Sequence, residues 1–188
     1  LKFSYIMSSM DTPLGRTSGL HTEINESIEA LQGRGDDNLM RVVYSIAAKA
    51  QTLAGDDVSM EKIEESISSG AAYEIFERLV HMHGGKLNKD RHIPTSEIIV
   101  SAKKNGYINR INARSIGIAN TMIGCGRINH KSKLDYSAGI EIIQVEGSKV
   151  RIGDPVLRAF CSDSNKIKSI INILEKSIRI SSIDRHSS

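Results

Sequence analysis

The spacing of apolar residues changes near residue 90, and this change constrains the possible folds more than any other feature of the chain. Over 20–85, apolar residues recur every three or four positions, which is the period of an amphipathic helix. From Glu97 onwards they occur in short runs between turn residues, which is typical of strands. We therefore predict two domains, 1–90 and 91–188, of which the first is mostly helical and the second is a small mixed α/β module.

Four helices are predicted in the first domain, because glycines and short polar residues mark where each one begins and ends. They cover 20–32, 37–54, 60–69 and 71–83, preceded by a short strand over 1–7 and a loop over 8–19. The side chains predicted to face inward are Leu20, Ile24, Ile28, Leu31, Leu39, Val42, Val43, Ile46, Ala47, Ala50, Met60, Ile63, Ile67, Ile75, Phe76, Leu79 and Val80.

In the second domain, apolar runs bounded by turn residues predict strands, and two stretches with helical spacing predict helices. The predicted strands are 98–100, 107–111, 140–143 and 156–160, and the predicted helices are 113–123 and 164–178. Residues 179–188 are predicted to be a frayed polar tail.

Composition excludes several classes of protein. The chain has 188 residues, of which 39% are hydrophobic and 25% charged, so it can bury a core of its own. No apolar run reaches the roughly 18 residues of a membrane span, and a net charge of +3 does not require a nucleic acid partner. We expect a cytoplasmic protein that binds neither membrane nor nucleic acid. Because the chain begins at Leu1 without a leader, we also expect it to be part of a longer protein.

The loop over 10–19 is the best candidate for a functional site. A strand that leads into a loop bent by glycine and proline, and then into a helix, is a common ligand edge in α/β proteins. Such a bend turns carbonyl oxygens away from a strand ladder, and Glu26 lies about two turns into the helix. Oxygen ligands of this kind suit a hard cation. On spacing alone the signal is weak, because an isolated glutamate on a helix is more often a solvated surface acid, and the loop could be a plain connection.

Short motifs along the chain occur in an order that resembles the pyrimidine nucleoside phosphorylase / thymidine phosphorylase family. They are 10–17 (Met-Asp-Thr-Pro-Leu-Gly-Arg-Thr), Ala71 after Ser68-Ser69-Gly70, His83-Gly84-Gly85, 104–108 (Lys-Asn-Gly-Tyr-Ile), 116–119 (Ile-Gly-Ile-Ala), 124–127 (Gly-Cys-Gly-Arg), 134–140 (Leu-Asp-Tyr-Ser-Ala-Gly-Ile) and 147–155 (Gly-Ser-Lys-Val-Arg-Ile-Gly-Asp-Pro). The resemblance covers about residues 5–175. It implies part of the family's large α/β lobe followed by its small α+β C-terminal module.

The resemblance also implies a function, namely transfer of a pentosyl group from a pyrimidine nucleoside to phosphate, which gives the free base and pentose 1-phosphate. Phosphate would be the co-substrate, and the parent protein would be a homodimer. The family's Lys-x-Ser-Thr-Gly-Gly phosphate loop and its Arg/Ser/Lys base-binding set do not occur in this sequence, so no catalytic or substrate-binding residue is assigned. We expect the chain alone to be inactive.

The family's monovalent cation site does carry over by resemblance. Its ligands match main-chain oxygens of Leu14 and Thr17 and the side chain of Glu26, with potassium as the expected ion. The chain departs from the family pattern just ahead of the loop, where 8–10 is Ser-Ser-Met in place of the usual Thr-Asp-Met, and again over 19–24.

Two other functions stay open, an inactive remnant of the family and a carrier-like binding module. The segment 147–160 resembles the turn of biotinyl or lipoyl carrier domains, but the sequence has no Met-Lys-Met or Asp-Lys-Ala triplet. Cys125 is interpreted as a buried thiol rather than a nucleophile, and Arg127 as a surface or structural arginine rather than an anion site. His81 and His83 are two positions apart on a helix, so their side chains diverge.

Overall fold

The computed structural model of the chain describes residues 2–57, 59–87 and 93–183. Contacts between these residues divide them into two units. The first unit contains 2–9 and 25–87 within that coverage, and the second contains 10–24 and 93–183. None of the described helices is both long enough and apolar enough to cross a bilayer.

The first unit is helical, as predicted. Its elements are α1 (Leu20–Glu29), which begins in the second unit, a π-helical turn (Ala30–Arg34), α2 (Asp37–Ala54), α3 (Met60–Ser68) and α4 (Ala71–Met82). Short polar residues begin α2 and α3, as predicted: Asp36 accepts a hydrogen bond from the amide of Asn38, and Ser59 accepts one from the amide of Lys62. These are local signals, which explains why the helix starts could be read from sequence.

The core of the first unit is small, and part of the predicted inward set is wrong. Ala30, Met40 and Ile67 form its buried cluster, and Ile63 is also buried. Seven side chains predicted to face inward are exposed instead, since a helical period shows which side chains share a face but not whether a partner covers that face. They are Ile24, which lies in the second unit, and Val43, Ile46, Ala50, Met60, Ile75 and Leu79 of the first unit.

The strand predicted over 1–7 is wrong for the six of its residues that the structure describes. Residues 2–10 form no regular element and are exposed, and no described strand pairs with them. An isolated apolar run cannot hold strand geometry, because strand hydrogen bonds are made to a neighbouring strand. Leu1 lies outside the described residues.

Besides the start of α1, the described residues of the second unit form two antiparallel sheets and three helices. One sheet has the order β1 (Thr17–Ser18), β4 (Gly139–Ile142), β6 (Pro155–Cys161), β2 (Ser96–Ser101), and the other has the order β5 (Lys149–Val150), β3 (Gly106–Ile111), β7 (Ile178–Ser181). The helices are α5 (Ala113–Ile123), α6 (Ser164–Ser169) and α7 (Ile171–Ser177). This mixed architecture confirms the predicted α/β class.

One apolar core joins both sheets and the helices of the second unit. Ile111 of β3, Ile116 of α5, Ile140 of β4, Leu157 of β6 and Leu174 of α7 are all essentially inaccessible to solvent. Burying side chains of this size stabilises a fold by about 1.5–3 kcal/mol each. The second unit therefore has a continuous interior.

Two predictions at the C-terminal end are corrected. The helix predicted over 164–178 is two helices, which meet at the fully buried Ile170. The predicted frayed tail is wrong at its start, because Ile178–Ser181 is strand β7 and pairs with β3. Residues 184–188 lie outside the described residues. A four-residue strand depends on its distant partner, which local sequence does not reveal.

The predicted domain ranges differ from the two units in one place. Residues 10–24 belong to the second unit, because Thr17 and Ser18 pair with Glu141 and Ile140 of β4. The assignment of 1–90 to the family's glycosyltransferase lobe stays a prediction, as does the exact extent of both domains.

Candidate functional site

The loop over 10–19 is bent at two glycines before it enters α1. Gly15 is buried with a φ of 78°, and Gly19 has a φ of 152°, both in the region that favours glycine. A Cβ atom built on Gly19 would lie 2.7 Å from the carbonyl oxygen of Ala138. The loop therefore approaches the backbone before β4 too closely for any side chain at that position.

The first turn of α1 closes on Gly19. The Gly19 amide donates to Oε1 of Glu23 at 2.9 Å, and the Gly19 carbonyl accepts from the amide of Glu23 at 3.0 Å. The Thr22 hydroxyl donates to the same carbonyl at 3.3 Å. The bond to Glu23 Oε1 satisfies an amide that a helix start leaves without an intrahelical partner, and the bond between the Glu23 amide and the Gly19 carbonyl is the first backbone bond of the helix. The glycine and the helix start therefore hold each other in place.

The loop is fixed to β4 by a short antiparallel ladder. Thr17 lies opposite Glu141, Ser18 lies opposite Ile140, and the amide of Ile142 donates to the carbonyl of Arg16 at 2.7 Å. With this bond, Thr17 and Glu141 form the pair that exchanges no ladder hydrogen bonds. The carbonyl of Thr17 is consequently directed away from β4, towards the outer edge of the sheet.

Three further contacts tie the loop to β3 and α5. The carbonyl of Asp11 accepts from the amide of Ala113 at 3.0 Å, in the first turn of α5. Nη2 of Arg110 lies 3.2 Å from Oδ1 of Asp11, and Nδ2 of Asn120 donates to the Ser18 hydroxyl at 2.6 Å. Sequence reasoning missed Arg110 and Asn120, which lie about 100 residues along the chain from the loop that they contact.

The three cation ligands implied by resemblance lie in different parts of the structure. Leu14 has an exposed side chain in the loop, Thr17 is half-buried in β1, and both belong to the second unit. Glu26 is half-buried in α1 and belongs to the first unit. Within the described residues, no three histidine, cysteine or acidic side chains cluster as metal ligands, so a cation here would depend on main-chain oxygen.

The donor set fits a hard monovalent cation in its chemistry. Leu14 lies next to the bend at Gly15, and the Thr17 carbonyl is turned off the β1–β4 ladder. Carbonyl and carboxylate oxygens are the ligands that alkali and alkaline-earth ions take in proteins. The oxygen types of the three implied ligands therefore suit such an ion.

Among the described residues, no cluster of reactive side chains surrounds the other candidate residues. Burial raises the pKa of the Cys125 thiol to about 12, so the thiol stays protonated at neutral pH, as expected for an inert cysteine. Arg127 is exposed. In the first unit, His81 and His83 lie on the exposed end of α4, where Nδ1 of His83 lies 2.8 Å from the carbonyl oxygen of Leu79.

Asp135 joins two segments of the second unit through its carboxylate. It lies in the motif over 134–140, and no role was predicted for it there. Its carboxylate accepts hydrogen bonds from the main chain and hydroxyl of both Ser137 and Ser162. An aspartate two residues before a serine is a turn signal, and that signal could have predicted the contact with Ser137. The contact with Ser162 joins segments distant in sequence and has no local signal.

Comparison with known proteins agrees with the motifs. Residues 107–181 match the family model of the pyrimidine nucleoside phosphorylase C-terminal domain. Proteins named pyrimidine-nucleoside phosphorylase from Staphylococcus aureus strains USA300, NCTC 8325 and COL are each 30% identical to the chain over 184 residues. The alignments cover 93% of this chain and 42% of each relative, so the chain spans about two fifths of the length of these curated relatives.

These matches extend over both the helical first unit and the second unit, and the family model falls on the two-sheet module that the motifs had indicated. The chain is therefore similar to pyrimidine-nucleoside phosphorylases over almost its whole length, and residues 107–181 match the C-terminal domain of that family.

Proposed function

We propose that the chain is the C-terminal part of a pyrimidine nucleoside phosphorylase, which transfers a pentosyl group from thymidine or uridine to phosphate. The observation that carries this proposal is the 30% identity to proteins of that name across 93% of the chain. The parent protein would be a cytoplasmic homodimer and would use phosphate as co-substrate.

The reaction separates charge, and this sets the task of each part of the protein. Positive charge develops on the sugar and negative charge on the departing base, so fixed cationic groups and hydrogen-bond donors must lie around the base, and the anionic phosphate must lie beside the sugar. Phosphate must also be aligned with the anomeric carbon. The family motifs for these tasks do not occur in the 188 residues. We assign this chain a supporting role, in which main-chain oxygens of Leu14 and Thr17 and the side chain of Glu26 are ligands of a potassium ion.

A side-by-side assay of the complete parent protein and the 188-residue chain tests the proposal. The parent should release free base from thymidine or uridine only when phosphate is present, and pentose 1-phosphate should appear in equal amount. The chain alone should give no turnover above a blank without protein. A parent without phosphate-dependent cleavage would contradict the proposed reaction, and turnover by the chain alone would contradict the supporting role.

The cation assignment has its own test in the chain as it stands. Potassium chloride should raise the melting temperature of the chain more than tetramethylammonium chloride at equal ionic strength, since an ion that binds only the folded state stabilises that state. Glu26→Gln should remove most of this difference. Glu74→Gln, which removes the same charge from the first turn of α4, is the matched control and should retain it. Equal potassium dependence in both variants would rule out Glu26 as a ligand.

A further inference from the structure

We infer that Arg110 and Asn120 are positioning residues for segment 11–18 of the loop over 10–19. Through these two residues, the second unit sets the direction of the Leu14 and Thr17 carbonyls. Neither residue belongs to the proposed ligand set. The part of the inference that concerns potassium rests on the proposed function, whereas the part that concerns the loop rests on contacts alone.

The contacts fix the chain both before Leu14 and after Thr17. On the N-terminal side, Asp11 is held by its main chain to Ala113 and by its carboxylate to Arg110. On the C-terminal side, the hydroxyl of Ser18 is held by Asn120. Since both ends of the segment are fixed, the conformations open to Leu14 and Thr17 between them are few, and little ordering is left to occur when a ligand binds.

Arg110 has an electrostatic reason to engage the loop. It lies on β3 directly opposite Arg179 of β7, and like charges facing each other across a strand pair are unfavourable. Asp11 supplies the opposite charge at 3.2 Å. The Nε atom of Arg110 is buried and has no hydrogen-bond partner among the described residues, so the contact of this guanidinium with the loop is made through Nη2.

Asn120 contacts the loop through a hydrogen bond from a buried side chain. It is a polar residue of α5 with only 7% of its surface exposed, and its Nδ2 donates to Ser18 at 2.6 Å. Its Oδ1 is buried without a hydrogen-bond partner in the part of the chain that the structure describes. A buried amide is costly unless it is bonded, so the bond to Ser18 is the contact that offsets the burial of this side chain.

The experiment compares Arg110→Gln and Asn120→Ala with Lys103→Gln in the whole chain. Lys103→Gln is the matched control, because it breaks an ion pair of the second unit, between Lys103 and Glu175 of α7, that includes no residue of the loop. Hydrogen exchange of the amides of 14–18 is measured by mass spectrometry, and the potassium concentration for half-maximal thermal stabilisation is measured in parallel. Arg110→Lys keeps the charge and serves as the rescue variant.

We expect loop exchange to rise about two- to fivefold in Arg110→Gln and about tenfold in Asn120→Ala, with the potassium midpoint raised by similar factors. Lys103→Gln and Arg110→Lys should stay within about twofold of the unmodified chain. If the amides of β4 and β6 lose protection from exchange throughout in Asn120→Ala, that variant has unfolded. The exchange of the loop in Arg110→Gln then decides the inference by itself. Unchanged loop exchange in Arg110→Gln would overturn the inference. Faster loop exchange in a chain that potassium never stabilises would support positioning and overturn the cation site.

Discussion

At the scale of single residues, Asp135 ties two segments of the second unit together with one carboxylate. Oδ1 accepts from the amide and hydroxyl of Ser137 at 3.0 and 2.6 Å, and Oδ2 accepts from the amide and hydroxyl of Ser162 at 2.8 and 2.5 Å. Burial acts to raise the pKa of Asp135, but the hydrogen bonds from Ser137 and Ser162 outweigh it and leave the pKa below its ordinary value. The fold therefore stabilises the ionised form.

Asp135→Asn should destabilise the second unit in a pH-dependent way. Because the native pKa lies below that of the unfolded chain, the stabilisation is complete above the unfolded value of about 3.9 and is lost as pH falls through the native value. The variant should lose about 1–2 kcal/mol at pH 7, at the low end for charged hydrogen bonds because Asp135 is partly exposed. Urea unfolding followed by NMR signals of Ile140 and Leu157 at pH 7 and pH 3 should show the difference shrinking at the lower pH.

A second aspartate provides the control for this prediction. Oδ2 of Asp154 accepts one bond, from the amide of Arg151 at 2.8 Å, within a turn of the same unit. Asp154→Asn removes an identical charge and should cost less than about 1 kcal/mol. If Asp135→Asn cost no more than Asp154→Asn, or cost the same at both pH values, the four hydrogen bonds would not have the role that their geometry indicates.

At the scale of secondary-structure elements, two glycines of the second unit differ in whether the fold has space for a side chain. Gly19 leads into α1 with a φ of 152°, and a Cβ there would lie 2.7 Å from Ala138 O and 2.9 Å from Gly139 Cα, which are backbone atoms. Gly117 lies inside α5 on its exposed side, and a Cβ there would meet nothing within 4 Å. One glycine is required by the fold, and the other only weakens its helix.

The two alanine substitutions should therefore change stability with opposite sign. Gly19→Ala should destabilise the second unit by about 1–3 kcal/mol, since neither the backbone conformation nor the space accommodates a methyl group. Gly117→Ala should stabilise it by about 0.5–1 kcal/mol, because alanine favours the helix and restricts the unfolded chain. Urea unfolding of both variants, read from the same NMR signals, is the measurement. Destabilisation by Gly117→Ala would show that α5 is more tightly packed on that side than the structure has it.

The elements also show which parts of the fold can be predicted from sequence. Helices α2 and α3 were predictable because their caps, Asp36 and Ser59, lie within a few residues of the helix that each begins. Strand β1 was not, since two residues become a strand only when Thr17 meets Glu141. Strands β5 and β7 have the same dependence on distant partners.

The same limit applies to the candidate site. Leu14 and Thr17 could be placed in one loop, because they are close in sequence and the loop matches a family motif. The positions of Arg110 and Asn120 beside that loop result from the packing of β3 and α5 and have no local signature. The positions of the proposed ligands could thus be named from sequence, whereas the contacts that fix the loop around them required the fold.

At the scale of the whole molecule, apolar burial is unevenly distributed. In the second unit a single core draws on both sheets and on the helices. In the first unit the buried cluster consists of three residues, and each of its long helices exposes apolar side chains such as Ile46 and Ile75. Stability within a protein follows local burial, so the two units should open with different free energies.

Two substitutions test this difference directly. Leu174 of α7 is completely buried, and Leu174→Ala should cost the second unit about 2–5 kcal/mol, because it removes apolar contact and leaves a cavity. Ile75 of α4 is 58% exposed, and Ile75→Ala should change stability by less than about 0.5 kcal/mol. Hydrogen exchange by mass spectrometry checks both the baseline and the variants. In the unmodified chain, amides of β4 and β6 should exchange far more slowly than those of α4, and only Leu174→Ala should accelerate the former. Protection of α4 equal to that of β6, or faster exchange in the helices of the first unit after Ile75→Ala, would contradict this expectation. Either result would mean that the apolar face of α4 is covered in solution and that burial is more even than the structure shows.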